Sequence, residues 1–183
     1  MRDKDREGQA SDRALIARWR EGDQRAAAEL VARHAPALAR YAASMGERDE
    51  VEELVQDTFV RAFGSLDGFR EESTLLTWLF TIERRLLVDR RRTARRNARL
   101  TEIDEEHAVT AANALDGVVA IETEERVRRA VERLTPTQRE VFLLRVNEGL
   151  SYREIAGLVG TTEGAARVHY HNALRTVKEW IDD

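Results

Sequence analysis

Leu75, Leu79, Ile82 and Leu86 are separated by steps of four, three and four. That spacing lays side chains along one face of a helix and does not suit the alternation of a strand. Three further stretches upstream repeat the pattern: Leu15, Ile16 and Trp19; Ala26, Ala27, Leu30 and Val31, running on past Pro36 to Tyr41; and Leu54, Val55, Phe59, Ala62 and Phe63. Pro36 predicts a kink or a new start, because proline lacks the N–H that an interior helical position donates. Only 10 Gly and 2 Pro interrupt 183 residues, so the expected fold class is all-α.

The third stripe predicts a helix over 50–63 with Glu53, Gln56, Asp57 and Arg61 facing outward, closed by a loop at Gly64–Gly68. The fourth starts near Ser73 or Thr74, either of which can cap it, and runs into a cluster of arginines. From Thr93 to about Glu122 the periodicity fades. A second compact unit then opens with Val127, Val131 and Leu134. Thr135-Pro-Thr-Gln138 and Ser151-Tyr-Arg-Glu154 each place a hydroxyl three residues before a side chain that can reach back to the cap, the pattern of a capping box. The expected organisation is two small helical domains, 12–95 and 123–183, joined by an acidic flexible linker over 96–122.

Charge is unevenly distributed. The net value is −4, yet residues 83–99 carry +6 and residues 100–126 carry −7. Arg84, Arg85, Arg90, Arg91, Arg92, Arg95, Arg96 and Arg99 crowd the end of one helix. The helix dipole favours cations there, but a dipole does not require so many; side chains that displace counterions from phosphates do. Trp78 and Phe80 could stack on unpaired bases, or Trp78 could be core beside Leu79 and Ile82.

Other functions find little support. There is no cysteine, which excludes a disulfide framework, a cysteine-ligated zinc finger and a thiol nucleophile, and leaves the cytoplasm as the expected compartment. Met1 to Asp12 is charged, and no run approaches the ~18 apolar residues of a membrane span. Glu52/Glu53 and Glu105/Glu106 are adjacent pairs that diverge on a helix, with no phosphate loop, nucleophile motif or metal spacing around them. No enzyme, small-molecule substrate, metal or cofactor is expected. His34 and His107 have no recognisable partners, and His169 and His171, two apart on a helix, point in different directions.

The short helix Ser151–Val159, a turn at Gly160-Thr161 and a longer helix bearing Arg167, His169, Tyr170, His171, Asn172 and Arg175 satisfy the geometry of a helix-turn-helix, whose second helix enters the major groove. Gly164, Ala165 and Ala166 near its start permit close approach to DNA. The same residues also fit an ordinary helical hairpin in which Val168, Leu174 and Val177 are core.

Taken together, these segments resemble the sigma-70 family, and within it the compact extracytoplasmic-function group. Val51–Phe63 is similar to the family's region 2.2, Thr77–Arg92 to regions 2.3 and 2.4, and Leu134–Arg145 with Glu148–Ala156 to region 4. The three motifs are collinear and cover about residues 12–92 and 125–178. The resemblance implies an alternative sigma factor whose first unit binds core RNA polymerase, on the coiled coil of its largest subunit, through Glu53, Leu54, Gln56, Asp57 and Phe59. It further implies that Ser65, Asp67, Phe69, Arg84, Arg85, Asp89, Arg91 and Arg92 meet the minus-ten element, with the loop Gly64–Arg70 holding a flipped base. Ser151, Tyr152, Arg153, Thr162, Glu163, Ala165, Arg167, His169, Tyr170, His171 and Arg175 would meet the minus-thirty-five element. The acidic linker would thread towards the RNA path. Two positions depart from the family: Arg85 stands where Asn is usual, and Arg167-Val168-His169 where Lys-Ser-Arg is frequent. With no third domain and no acidic N-terminal extension, the resemblance points to a regulated factor, and many relatives are held by an anti-sigma protein. The alternative is a free-standing helix-turn-helix repressor, which would bind as a symmetric dimer.

Overall fold

The computed structural model describes residues 2–47, 49–101 and 126–182, and every regular element among them is helical. The first unit holds α1 (Arg2–Arg20), α2 (Gln24–Ser44), α3 (Val51–Gly64), a short 3-10 turn (Leu66–Gly68) and α4 (Leu75–Thr101). In the second, residues 126–132 form α5, followed by α6 (Pro136–Val146), α7 (Tyr152–Val159) and α8 (Glu163–Asp182). No helix among the described residues is long and apolar enough to cross a membrane.

Local chemistry sets most of the boundaries. Asp23 accepts from the backbone N–H of Arg25 and starts α2. Thr74, one of the two expected caps, takes the N–H of Thr77 at 3.1 Å. Both expected capping boxes form, Thr135 with Gln138 and Ser151 with Glu154. Gly160 ends α7 in the left-handed region at φ +78, where a side chain would be strained.

Three expectations need correction. Pro36 neither kinks nor restarts α2, which is continuous through it. Ala32 and Pro36 both face solvent, so water can take the carbonyl that proline leaves unpaired. Residues 96–101, expected to open the linker, extend α4 instead; the remainder of the proposed linker, 102–122, lies outside the described residues, and so does His107. Finally, α1 begins at Arg2, well before the first apolar stripe. His34, for which no partner was recognisable, is buried against the Asp12 carboxylate at 3.0 Å, and Arg33 bonds the other oxygen of the same group at 2.6 Å.

The two units are packed against each other. A single apolar cluster runs from Leu30, Leu38 and Leu54 through Leu79 and Phe80 to Val141, Leu144 and Ile155. A smaller cluster of Ala130, Leu134, Phe142, Ala173 and Val177 belongs to the second unit alone.

Candidate nucleic-acid interfaces

On α3 the amphipathic pattern separates two sets of residues that the resemblance had grouped. Leu54 and Phe59, expected among the polymerase contacts, are 0% and 6% exposed and belong to the core. Burial turns them towards α2 and α4, so they support the face and do not offer it. Glu53 and Gln56 are exposed and Asp57 is half-buried. Val60, one turn beyond Gln56, is 71% exposed on the same helix. Sequence reading passed over Val60, although its four-residue step from Gln56 places it on that face.

Glu53 and Asp57 are not free charges. With Glu50 they cradle the Arg90 guanidinium at 3.2, 3.0 and 2.9 Å, tying α3 to α4. One arginine of the cluster therefore has carboxylates where a phosphate was expected.

The rest of the cluster divides by position. Arg85, Asp89, Arg91, Arg92, Arg95 and Arg96 are exposed, and Val88 among them is exposed too. Arg91 also donates to the Met45 carbonyl. The side chain of Arg99 lies outside the described residues. Arg84 is turned the other way, into the second unit. Its Nε donates to Glu140 Oε1 at 2.7 Å, and the Tyr41 hydroxyl donates to the same oxygen at 2.6 Å. Arg84, expected on the minus-ten DNA, is thus engaged by α6 in this arrangement.

Three more contacts join the units. Arg40 reaches Glu148 at 3.1 Å, Thr77 Oγ1 donates to Glu154 at 3.0 Å, and Arg84 Nη2 approaches the Val159 carbonyl at 3.5 Å. Beside them lies Glu83, 0% exposed, with neither carboxylate oxygen hydrogen-bonded. Burial first, and the charge of Glu148 second, push its carboxyl up to about 9, so it stays protonated at neutral pH. Burial and the facing Glu140 carboxylate likewise drive the Tyr41 phenol well above its ordinary range. Sequence reading missed Tyr41, Glu83, Glu140 and Glu148. The one available signal was Glu140, a charged residue directly before the apolar Val141 and Phe142.

The loop expected to hold a flipped base is compact. Ser65 and Asp67 are exposed, whereas Phe69 is buried and packs on Trp78 with ring centroids 5.1 Å apart. Phe69 would have to leave that contact to stack on a base. Phe80 is fully buried and tilted against Tyr41 at 5.1 Å, so it has no exposed face for stacking.

In the second unit α7 and α8 stand as the two helices of the expected motif. Thr162 accepts from the Ala165 N–H at 3.1 Å and caps α8. Ala166, Ala173 and Val177 point into the unit, while Glu163, Gly164, Arg167, Val168, His171 and Arg175 are exposed. Of the hairpin alternative's three core residues, Val177 is buried, Leu174 is half-buried and Val168 is outside. Ser151, Arg153 and Thr162 are exposed, and Ala165 and His169 are half-buried. Tyr152 and Tyr170 pack edge to face at 5.8 Å, with Arg145 and Arg167 over the Tyr152 ring at 4.9 and 5.1 Å. These tyrosines therefore brace α7 on α8, and the Tyr152 ring holds Arg145 and Arg167 against it.

This pairing of a basic helix end with a capped helix-turn-helix can be compared with known proteins. Residues 30–97 match the family description "Sigma-70 region 2" and residues 124–177 match "Sigma-70, region 4". An ECF RNA polymerase sigma factor EcfG of Rhodopseudomonas palustris is 33% identical over 75% of each chain. Among solved structures, the sigma factor RpoE in complex with the anti-sigma factor NepR from Bartonella quintana is 27% identical, with a TM-score of 0.71 over 84% of this chain and 95% of that one. CnrH in complex with the cytosolic domain of CnrY is 30% identical, with a TM-score of 0.67 over 94% and 97%. Since both halves match in order and the likeness spans three quarters of a relative one third identical, the chain belongs to the extracytoplasmic-function group of the sigma-70 family, the alternative factors that direct promoter-specific transcription by RNA polymerase.

Proposed function

We propose that this chain acts as a dissociable, non-catalytic specificity subunit in the cytoplasm, with three surfaces in separate roles. Glu53, Gln56, Asp57 and the adjoining Val60 on α3 dock on core polymerase. Ser65, Asp67, Arg85, Asp89, Arg91 and Arg92 meet the minus-ten element, with Arg84 joining them once released from Glu140. Ser151, Arg153, Thr162, Glu163, Arg167, His171 and Arg175 meet the minus-thirty-five element. The observation that carries this reading is the exposed arginine face of α4 together with an outward-facing α8 that bears Arg167 and Arg175, two arginine-bearing surfaces on separate units of one chain. A free-standing repressor would use the second alone and leave the first without a role.

Because Arg84 is held by Glu140, the two units must part before the whole α4 surface is available. A partner that favours the packed arrangement would hold the factor inactive, and one that favours the separated arrangement, core polymerase, would activate it. The solved relative RpoE is in complex with the anti-sigma factor NepR, and CnrH is in complex with the cytosolic domain of CnrY; an anti-sigma partner is the reading we favour for this chain. Run-off transcription with core polymerase on genomic fragments tests the central claim: initiation at a defined subset of promoters is expected, and failure to bind core polymerase would overturn it. A pull-down from native cells that returned polymerase subunits alone would remove the anti-sigma partner.

A further inference from the structure

The outward face of α8 carries one residue that its charge does not explain. Val168 is 57% exposed, in the first two turns of the helix, between the exposed side chains of Arg167 and His171. Burial in this unit does not account for it: Ala166, Ala173 and Val177 fill the inward side. Helix propensity does not favour it either, since a β-branched residue loses side-chain freedom in a helix where alanine would not.

Its surroundings suit a short side chain that must come close to something flat. Gly164, one turn earlier on the same face, has open space around the position of a Cβ. Side chains in a helix lean towards its N-terminus, so the Val168 methyls lie over that cleared turn. Arg167 is drawn aside, to Glu163 at 3.1 Å and over the Tyr152 ring at 5.1 Å. A valine is thus left as the foremost group on a surface flanked by Arg167 and His171.

In the major groove every polar base edge needs a hydrogen-bonding partner, and an apolar group set against one strips its water without replacement. Thymine alone among the four bases presents a methyl there. We propose that Val168 reads the C5-methyl of a thymine in the upstream promoter element. This rests on the assignment of α8 to that element, and it names the base that one residue of the helix selects.

The test uses holoenzyme assembled from the full chain and core polymerase. Upstream elements are selected from a randomised duplex library, and each thymine of the selected element is then replaced singly by deoxyuridine, which differs only by the missing methyl. One replacement is expected to weaken binding about fourfold, the worth of one buried methyl, and Val168→Ala is expected to abolish that difference at that position alone. Because Val168 is exposed, the alanine variant keeps the fold, which its melting temperature checks. If no thymine is sensitive to the replacement, or if the sensitive position is unchanged in Val168→Ala, the proposal is overturned while the assignment of α8 survives. If the holoenzyme selects no upstream element, the assignment falls and the proposal with it.

Discussion

The two helices proposed to meet DNA differ in how free they are. α8 presents its outer face to solvent, and the ion pairs there, Glu163–Arg167 and Arg175–Glu179, are exposed and internal to the helix. α4 is divided: Arg85, Arg91 and Arg92 face solvent, but Glu83 and Arg84 are built into the contact between the units. In the proposed roles, the surface for the upstream element is therefore complete in the packed arrangement, and the surface for the minus-ten element is not. The difference makes separation of the units a requirement for one surface and not for the other.

The largest effect is expected where the two units share a charge. Glu140 accepts from both Tyr41 and Arg84, and Glu140→Ala leaves a partly buried guanidinium and a buried phenol without their acceptor. Removing one member of such a pair costs about 3 kcal/mol. Small-angle scattering should show an expanded, two-body particle, and the variant should compete better for core polymerase in a binding titration. An unchanged radius would mean that the apolar cluster alone holds the units together, and the division within α4 would lose its mechanism.

Glu83 sharpens the same comparison through pH. Its carboxyl is held at about 9 in the packed state against an ordinary 4.5, so the packed state binds the extra proton. Stability of packing is fully present below about 4.5, falls as pH rises, and is lost through about 9. Glu148 after α6 acts in the same sense, since its negative charge disfavours a second, whereas the Tyr41 phenol on α2, pushed up by burial and Glu140, stays neutral across this window. Glu83→Gln cannot ionise and should flatten this slope, so that the two proteins diverge most at the alkaline end. Thermal melts across that window measure it. Parallel slopes in the two proteins would show that Glu83 leaves the interface or finds water.

What could be read from the sequence is what local chemistry decides. The apolar steps placed α3 and the start of α4 to within a residue or two, and the hydroxyl caps at Thr135 and Ser151 were visible as three-residue spacings because a capping box closes within one turn. The contact of Glu140 with Tyr41 and Arg84 spans 99 and 56 residues, and no periodicity signals a partner so distant. Leu54 and Phe59 illustrate a different limit. Their helical spacing correctly marks an apolar face, but an apolar face fits a core as well as a partner, and the choice depends on α2 and α4 packing there. Val168 is the converse: its type suggested core in the hairpin alternative, and only its place on α8 shows that it looks outward.

The cap of α7 tests whether the second unit can be weakened by itself. Ser151 Oγ accepts from the Glu154 N–H, and Glu154 in turn meets the Ser151 N–H and the Thr77 hydroxyl. Ser151→Ala should lower stability by about 1 kcal/mol, seen as a lower melting temperature and faster amide exchange in α7. Upstream-element binding should weaken, while binding of core polymerase by the full chain stays the same. Equal losses at both surfaces would show that α7 also supports the first unit, through Thr77.

The smallest structural effect belongs to the arginines of α8. Arg167 pairs with Glu163 at 3.1 Å and Arg175 approaches Glu179 at 3.9 Å, all four side chains more than half exposed. Solvent screening leaves such pairs worth at most about 0.5 kcal/mol, so Arg167→Ala and Arg175→Ala should melt within a degree or two of the parent. Each nevertheless removes a cation from the face turned towards DNA, and each should weaken binding to the upstream element with a shallower dependence on salt. Core polymerase binding should be unaffected in both, because α3 and α4 are untouched. A variant that lost core binding while melting normally would break the division of labour between the two helices, since it would place part of the polymerase contact on the surface assigned here to DNA.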